Sequence, residues 1–422
     1  MVSPLLGHKA NDRLRAVATV IGVGLAWVLI AGAFAPSIGL AADDVFTDTN
    51  LLRISLEIPE TGMAALRAYR WKREDPNPTN RPKAFARVMQ GGRVFTNVAV
   101  HSKGAFGSFR PIDGLPALTL NFDKFAPGQE FHGMTKLSLN NEVQDPTCIH
   151  EKLCRELFAA ANVPVPRADY ALVTLNGRRL GLYVLTEGFG KRFLKRHFKK
   201  ANGNLYDPGY LHDVDTPKEI RLDSGSDPGG FPALQSVYAA TLQADPEKRF
   251  RDLDQVLDTD RFLSMLALEV MLCHWDGYSM NRNNYRIYYD PGSRKLIFMP
   301  HGMDQVLGID RPNLDLELVP PLQGLVANAL VSTPEGRRRY LDRVLILYAK
   351  LFNAQDLCRR VREIDSKIAA ELKHPETRWP LRSRNPQAFI KTSGDHATDI
   401  DELCARISTR AKNLKRQLSE LR

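Results

Sequence analysis

The sequence predicts an α+β fold with two lobes, the first rich in strands and the second helical. Between residues 51 and 190, short apolar segments alternate with turns that contain Gly, Asn and Pro, as strands require. From Lys191 onward, longer segments with helical periodicity dominate. One strand pair interrupts this helical half near residue 290, and polar side chains lie at both of its open ends. We therefore expect the functional site beside that strand pair.

The segment 1–42 has the pattern of an export signal. Basic residues precede an apolar run at 16–35, Pro36 ends the run, and small residues at 41 and 42 offer a cleavage site. A run of this length can also span a bilayer, so an uncleaved membrane anchor is the alternative to a cleaved signal. In both cases we expect the rest of the chain outside the cytoplasm, whether secreted, periplasmic or at the cell surface.

The β-rich lobe is expected at residues 43–190. The first strand-like segments are LLRISLEIP, AFARVMQ and RVFTNVAVHSKG, and Gly91-Gly92 forms a hairpin turn between the last two. Between the first two, the polar and Pro-rich segment Trp71–Lys83 predicts a surface loop. LPALTLNFD and TKLSLNN continue the strands, a helix is predicted at Thr147–Ala161, and Asn176-Gly177 turns a last hairpin.

The helical lobe is expected at residues 191–332, followed by helices at 333–422 that pack on it. Much of the net charge of +10 lies on amphipathic segments of these C-terminal helices, where a solvated face explains it. No basic patch interleaved with aromatic residues occurs in the sequence, so no nucleic acid partner is expected. The five cysteines lack the spacing of a zinc site. Cys358 and Cys404 lie on separate predicted helices and can form one disulfide in an oxidising compartment.

The strand pair in the helical half consists of RIYYD and KLIFMP, joined by the turn Asp290–Ser293. Asp276 and Asn281 precede the first strand, and Asp304 follows the second. Because antiparallel strands return the chain to its start, we expect Asp304 close to Asn281. Their carboxylate and amide oxygens suit Mg²⁺ or Mn²⁺, so these two residues are the predicted metal ligands and Asp276 is the predicted catalytic base.

Asp276 and Asn281 also have the spacing D-x-x-x-x-N of the protein-kinase catalytic loop. In kinases a hairpin likewise leads from this loop to the metal-binding acid of the D-F-G motif. The alternative interpretation is structural: Asp276 caps a turn, the asparagines of NRNN bond their own backbone, and Asp304 begins a loop. The hairpin and the third acid favour the kinase interpretation.

A loop in the first lobe offers the donors that phosphates need. HSKGAFGSFRP places Gly104, Gly107 and Ser108 after a strand, where backbone amides can approach a phosphate, and Lys103 adds a cation. An ordinary turn is the alternative. The next strand, LPALTLNFD, lacks the lysine that a kinase would have there before Lys124, so Lys103 is the first candidate for that role.

Two further acids complete the predicted site. Glu151, on the helix of HEKLCRELF, is the predicted partner of Lys103 in orienting phosphates. The alternatives are a solvated helix residue and an acid in the first turn that complements the helix dipole. Glu187 lies at the junction of the lobes and is predicted to contact the nucleotide, with a salt bridge at the hinge as an equally supported alternative. His274 and His301 flank the acids and are expected to be structural.

These motifs carry a resemblance to a known family. The segments LSLNNEVQDPTCIHEKLCRELF, GNLYDPGY and HWDGYSMNRNN resemble the CotH family of spore-coat kinases, over a region from about Val98 to Gly308. The resemblance implies a divergent bilobal protein-kinase-like fold and an atypical, extracytoplasmic, ATP-dependent kinase acting on Ser or Thr of coat proteins. It assigns Asp276 as the catalytic acid, Asn281 as the metal-binding amide and Asp304 as the second metal ligand.

The sequence therefore predicts an enzyme that transfers phosphate from metal-bound ATP to a hydroxyl of a protein in the envelope or coat. Two other classes stay open. A non-catalytic surface or coat protein would use the same fold, with a decayed site, for partner binding. A third class would transfer a nucleotidyl group. The intact set of Asp276, Asn281 and Asp304 argues against decay but does not choose the group transferred.

Overall fold

The β-rich part of the chain folds into a closed barrel of seven strands. The computed structural model describes residues 44–46, 51–227, 229–309, 311, 313–372 and 393–421. Around the barrel the strands follow chain order, except that the seventh strand lies between the fifth and the sixth. The strands are β1 (Leu52–Glu57), β2 (Ala84–Gln90), β3 (Arg93–Lys103), β4 (Ala117–Asn121), β5 (Lys136–Asn140), β6 (Ala168–Leu175) and β7 (Arg178–Glu187).

Closure of the barrel is a feature that the sequence does not predict. β1 pairs with β2 in antiparallel fashion on one side and with β6 in parallel fashion on the other, from Leu52 opposite Ala171 to Leu56 opposite Leu175. The predicted turns are present, and Asn176 and Gly177 have the positive φ angles of +48° and +77° that a tight hairpin turn requires. The strands predicted between residues 51 and 190 are thus present, and the edges of their sheet are joined.

Two helices accompany the barrel. α1 (Glu60–Ala68) packs against β2 and was not predicted, because the sequence ETGMAALRA is short and weakly periodic. α2 (His150–Ala160) corresponds to the helix predicted at Thr147–Ala161. The buried carboxylate of Asp145 accepts hydrogen bonds from the backbone N–H groups of Thr147 and His150 and so fixes the chain where this helix begins.

Alternate side chains of the barrel strands have different surroundings. Val98 and Val100 of β3 and Leu118 and Leu120 of β4 are fully buried in the barrel interior. The intervening side chains point outward, because successive residues of a strand face opposite sides of the sheet. On β3, β4, β5 and β7 this outer face forms one wall of a large cleft.

The remainder of the chain is mainly helical, but the predicted strand pair does not stand alone. β10 (Tyr285–Asp290) and β11 (Lys295–Pro300) join β8 (Asn204–Asp207) and β9 (Arg221–Ser224) in a sheet of order β11-β10-β8-β9. β8 and β9 are not predicted from the sequence, because four-residue strands with polar residues carry no clear alternation. β8 lies within GNLYDPGY, so this motif supports the hairpin directly.

Helices surround this sheet and continue to the end of the described chain. They are α3 (Lys191–His197), α4 (Pro232–Thr241), α5 (Pro246–Val256), α6 (Thr259–Met271), α7 (Tyr278–Asn281), α8 (Leu325–Val331), α9 (Pro334–Leu351), α10 (Ala354–Leu372) and α11 (Ser393–Glu420). The buried helix α6 packs on both α9 and β11, so the C-terminal helices share one core with the hairpin. The predicted boundaries at 190/191 and 332/333 stay predictions.

Cys358 and Cys404, which the sequence places on separate helices as candidates for one disulfide, lie close to each other. α10 and α11 pack against each other, and the Cys358 thiol donates to the backbone oxygen of Cys404 over 3.5 Å. Both are reduced here, as are Cys148, Cys154 and Cys273, so the disulfide stays a prediction. The export segment 1–42 lies outside the described residues. Within them, no helix combines the length and the hydropathy that crossing a bilayer requires.

Candidate active site

A cleft of about 960 Å³ lies between the outer face of the barrel and the open end of the hairpin. Its barrel wall carries Lys103 and the loop that contains Gly104, Gly107 and Ser108. Its hairpin wall carries Asp276, Asn281 and Asp304, and Glu151 and Glu187 also line it. The structure therefore brings every residue of the predicted site to one cleft.

The register of the hairpin explains how the three polar residues of the hairpin wall meet. Tyr285 lies opposite Pro300, and the backbone N–H of His301 donates to the backbone oxygen of Asn284 over 2.8 Å. The segment that follows β11 therefore runs back past the segment that precedes β10. Asp304 is close enough to Asp276 for the two carboxylates to interact electrostatically.

Asp276 is held by side-chain amides. Its carboxylate accepts hydrogen bonds from the Nδ2 groups of Asn281 at 2.6 Å, Asn283 at 3.1 Å and Asn284 at 2.8 Å. The asparagines of NRNN thus orient the Asp276 carboxylate. The alternative interpretation, in which these side chains bond their own backbone, does not describe these contacts. Asn281 uses its Nδ2 atom in this way and lines the cleft, and an amide oxygen such as its Oδ1 is a ligand that a divalent cation accepts.

Buried polar groups fix the loop that carries Asp276. The carboxylate of Glu269, on α6, accepts from the backbone N–H groups of Tyr278 at 3.1 Å and Ser279 at 2.8 Å, where α7 begins. Burial raises the pKa of Glu269, and the nearby His274 opposes that rise. His274 Nε2 bonds with the backbone oxygen of Gly302 at 3.1 Å, which ties the Asp276 loop to the Asp304 segment. The structural role predicted for His274 fits these contacts.

Asp304 has the electrostatic surroundings of a cation ligand. Burial and the carboxylates of Glu151 and Asp276 raise its pKa to about 7. Such a concentration of acids is stabilised by a divalent cation, and the Asp304 carboxylate and the Asn281 amide oxygen are hard ligands that Mg²⁺ accepts, with waters completing the shell. Among the residues that the structure describes, no three His, Cys, Asp or Glu side chains form a metal cluster, so amide and water ligands would be essential.

Lys103 stands at the end of β3 and faces this acidic wall. Its Nζ donates to Oδ1 of Asn140 across the small side chain of Ala117, which lies between their strands. Burial lowers the pKa of Lys103 to about 8, while the field of Glu151 acts in the opposite direction. At neutral pH the lysine is therefore still a cation, and it can attract a phosphate.

The Glu151 carboxylate makes its hydrogen bonds with Arg155 and Met303, and none is seen with Lys103 among the described residues. One oxygen accepts from Nε of Arg155 at 2.7 Å, and the other accepts from the backbone N–H of Met303 at 3.0 Å. The side chain is buried, so the alternative of a solvated helix residue is wrong. Glu151 thus connects α2 to the residue before Asp304, while its direct pairing with Lys103 stays a prediction.

The glycine loop is a compact turn. Gly104 and Gly107 have φ angles of +96° and +72°, and a Cβ atom on Gly104 would lie 3.0 Å from the backbone nitrogen of Phe109. The Ser108 hydroxyl accepts from the N–H of Ala105, and the N–H groups of Ser108 and Phe109 bond within the loop. Phosphate contacts from Gly104, Gly107 and Ser108 therefore stay predictions, beside the alternative of an ordinary turn.

Glu187 lies at the end of β7 and is nearly fully buried. Its carboxylate accepts two hydrogen bonds from Arg196, at 2.6 and 2.5 Å, and one from the backbone N–H of Arg167. Burial alone would raise its pKa, but the hydrogen bonds and charges of Arg196 and Arg167 together outweigh burial, so the pKa is lowered. This is the salt bridge that the sequence analysis offered as the alternative, and a nucleotide contact stays a prediction.

Several residues of the cleft carry no clear signal in the sequence. The segment Trp71–Lys83 lines the cleft, although it was predicted as a plain surface loop. Asn77 makes two hydrogen bonds with the backbone of Tyr210, and Arg81 donates to the backbone oxygens of Ser102 and Gly104. The barrel wall also contributes His101 and Lys136. The only sequence signal for Lys136 is the polar alternation in KLSLN, which also fits a solvent-facing strand.

Known proteins resemble this chain in sequence. Two curated relatives match the chain: Invasin CotH2 of Rhizopus delemar, 24% identical over 263 residues, and Inner spore coat protein H of Bacillus subtilis, 23% identical over 200 residues. The matches cover 56% and 44% of this chain, and 44% and 54% of the relatives. The chain thus spans about half the length of the curated relatives it matches.

Solved structures give weaker likenesses. The Helicobacter pylori proinflammatory kinase CtkA has a TM-score of 0.31 at 12% identity, covering 72% of this chain and 94% of that one. HipA of the Shewanella oneidensis toxin–antitoxin system, solved with HipB and operator DNA, has a TM-score of 0.30 at 11% identity, with coverages of 88% and 74%. Likeness at this level carries no argument about the fold or the function.

A family model gives the decisive match. The model described as CotH kinase protein matches residues 115–414, well over half of the chain. The match extends past Gly308, the limit expected from the sequence motifs, into α11, and it begins after the strand that carries Lys103. It includes Glu151, Glu187, Asp276, Asn281 and Asp304. The chain belongs to the CotH kinase protein family.

Proposed function

We propose that this protein transfers the terminal phosphate of ATP to a Ser or Thr hydroxyl of another protein. The observation that carries the proposal is the arrangement of the cleft: Asp276, Asn281 and Asp304 share one wall, and Lys103 faces them from the other. Phosphoryl transfer requires mainly positioning and charge stabilisation, which such a pair of walls supplies.

Each residue has a definite part in this proposal. Asp276, oriented by the asparagine amides, accepts the proton of the acceptor hydroxyl as that oxygen forms its bond to the γ-phosphorus. The bond from the γ-phosphorus to the bridging oxygen breaks, and ADP leaves. Lys103 attracts the phosphates from the barrel wall. A divalent cation bound at Asn281 and Asp304 would neutralise the charge of the phosphates. Glu151 keeps the Asp304 segment in place through the N–H of Met303.

The setting and the acceptor are also proposals. The relatives are named as an invasin and as an inner spore coat protein, which supports a location outside the cytoplasm, and the export pattern at 1–42 agrees. We propose an envelope or coat protein as the acceptor. The ATP, and Mg²⁺ or Mn²⁺, would have to be supplied in that compartment.

The test uses the purified full chain and two radiolabelled forms of ATP, with Mg²⁺ or Mn²⁺, alone and with envelope extract. We expect acid-stable label on protein from γ-labelled ATP and none from α-labelled ATP. Label from α-labelled ATP would instead identify nucleotidyl transfer. Absence of label from both, with a folded protein, would favour the non-catalytic surface or coat protein.

Matched variants assign the activity to the cleft. Asp276→Asn removes the base and keeps the shape of the side chain. Asp290→Asn makes the same change at the far end of the hairpin, where Asp290 only orders the turn through Gly292 and Ser293. We expect loss of transfer in the first variant and retention in the second. Equal activity in both would contradict the role of Asp276.

A further inference from the structure

An arginine and a tryptophan pack against each other in the cleft, beside the proposed base. The Cζ atom of Arg311 lies 3.9 Å from the centroid of the Trp275 ring, over its face. Both side chains line the cleft, and Trp275 directly precedes Asp276 in the chain. A guanidinium and an indole attract each other in this arrangement, because the face of the ring is negative. We call these two residues the Arg–Trp pair.

The chain on both sides of Arg311 is tied to the helical part of the protein. Before it, the backbone N–H of Leu307 donates to the oxygen of Leu272, just after α6, over 2.8 Å. After it, the buried guanidinium of Arg410, on α11, donates to the oxygen of Leu314 over 3.1 Å. These bonds hold Arg311 next to the loop into which α6 leads. The Arg–Trp pair is therefore a built part of the hairpin wall.

The charge of Arg311 is available to a ligand. Its side chain is exposed, and no carboxylate of the described residues forms an ion pair with it. The next acid in the sequence, Asp315, accepts instead from Arg416 at 2.6 Å. By contrast, Arg286 of the same cleft pairs with Asp207 at 2.6 Å. A stacked guanidinium keeps the N–H groups along its edge free, and their planar arrangement matches two oxygens of a carboxylate or a phosphate.

The position of the Arg–Trp pair relative to Asp276 decides which ligand it meets. In-line transfer places the acceptor and the leaving nucleotide on opposite sides of the transferred phosphate. Asp276 marks the acceptor side, and the phosphates of ATP are proposed to lie toward Lys103. Because Trp275 and Asp276 are neighbours in the chain, their side chains lie within roughly 10 Å, which an extended peptide covers in about three residues. A side chain that flanks the acceptor hydroxyl can therefore contact Arg311.

We propose that the Arg–Trp pair binds an anionic side chain that lies within about three residues of the acceptor Ser or Thr in the phosphorylated protein. This rests on the proposed function, because phosphoryl transfer is what makes the Asp276 side the acceptor side. The chemistry recognised is a group of anionic oxygens. Asp or Glu can supply it, and so can a Ser that already carries phosphate, in which case one phosphorylation prepares the acceptor for the next.

The test uses peptides that contain one acceptor Ser among Ala and Gly residues. Each flanking position is occupied in turn by Glu, phosphoserine, Lys or Ala, and kcat/KM is measured with the full chain and Mg-ATP. At one or more positions we expect Glu or phosphoserine to raise kcat/KM roughly three- to tenfold over Ala, as for a partly exposed bidentate ion pair, and Lys to lower it. The better of Glu and phosphoserine identifies the source of the anion.

Reversal of the charge at Arg311 assigns the preference to the Arg–Trp pair. In Arg311→Glu we expect the order of the peptides to invert, so that Lys peptides become the better acceptors. Arg311→Lys keeps the charge but loses the planar fork, and should keep part of the preference. The affinity for Mg-ATP should not change in either variant. Arg251→Glu is the control, because Arg251 is exposed on α5 outside the cleft.

The outcomes separate this proposal from the proposed function. The same order of peptides in wild type and in folded Arg311→Glu would overturn the Arg–Trp pair and leave phosphate transfer standing. Weaker Mg-ATP binding in Arg311→Glu would also overturn it, since Arg311 would then contact the nucleotide. Fluorescence anisotropy of labelled peptides gives a readout without catalysis. Tighter binding of Glu peptides than of Lys peptides, with phosphate on none, would support the anion contact and overturn the proposed function, whereas neither binding nor transfer would overturn both.

Discussion

The two walls of the cleft are built in different ways. On the barrel wall, the positions of Lys103, His101 and Thr119 follow from strand register alone, and the backbone ladder of the closed barrel keeps them there. On the hairpin wall, Asp276 lies on a loop and needs three side-chain amides, while buried Glu269 holds the adjoining turn. A side chain on a strand is positioned by the sheet, whereas one on a loop needs dedicated buried polar groups.

From this difference between the walls, we expect the hairpin wall to control the rate of phosphate transfer. Asp276→Asn should reduce the single-turnover rate of phosphate transfer by about 10³-fold, because the proton acceptor is lost. The dissociation constant of Mg-ATP should change less than about twofold, since Asp276 is not expected to contact the nucleotide. Rapid-quench kinetics and calorimetry measure the two quantities. Near-normal transfer would make the D-x-x-x-x-N spacing a coincidence.

The barrel wall should instead control nucleotide affinity. Lys103→Ala removes a charged donor, worth about 1.5 to 3 kcal/mol, so Mg-ATP should bind about 10- to 100-fold more weakly. The transfer rate at saturating ATP should fall much less than in Asp276→Asn. If Lys103→Ala left affinity unchanged and reduced only the rate, the division between the walls would be wrong. Lys124→Ala, on the loop after β4 and away from the cleft, is the control.

We expect Asp213→Asn to have the smallest effect on phosphate transfer and a clear effect on the free energy of unfolding. This buried carboxylate lies beneath the hairpin wall, accepts from the N–H groups of Leu325 and Val214, and bonds with the Tyr278 hydroxyl. Burial raises its pKa to about 6, although these hydrogen bonds oppose the rise. The folded state therefore holds a proton that the unfolded chain releases near pH 4.

The raised pKa of Asp213 makes the stability of the protein depend on pH. As pH rises from about 4 to about 6, the Asp213 contribution to the free energy of unfolding should fall, and above that range it should stay low. Asp213→Asn has no such titration, so the stability advantage of wild type over the variant should be larger at pH 4.5 than at pH 7. Urea unfolding at both pH values checks this. A constant difference would show that Asp213 does not titrate in this range.

The sequence predicted the hairpin wall better than the barrel wall for a physical reason. The turn at Asp290–Ser293 and its apolar strands specify a local pairing, which carries Asp276, Asn281 and Asp304 into one place. The polar side chains of the barrel wall depend on pairings between strands far apart in sequence, such as Ser138 opposite Thr186. Thr119 and Ser138 each lie between two leucines, which is also the pattern of a strand that faces water.

Two features of the fold are also not predicted by local sequence patterns. Barrel closure depends on a parallel contact between Leu52 and Ala171, which no local pattern encodes. β8 and β9 are too short to show periodicity, and their pairing with the hairpin is decided by tertiary packing. The α+β class, the hairpin turns and the helix before Asn162 follow from local patterns and were predicted.

Closure of the barrel by β1 and β6 has a practical consequence for expression of this protein. A recombinant fragment cut to the family match, residues 115–414, would lack β1, β2 and β3. β4 and β6 would then become open edges, and the apolar interior around Leu118 and Val173 would meet water. Open edges of this kind favour aggregation. A soluble fragment of this chain therefore has to start before Leu52, well upstream of the region by which the family is detected.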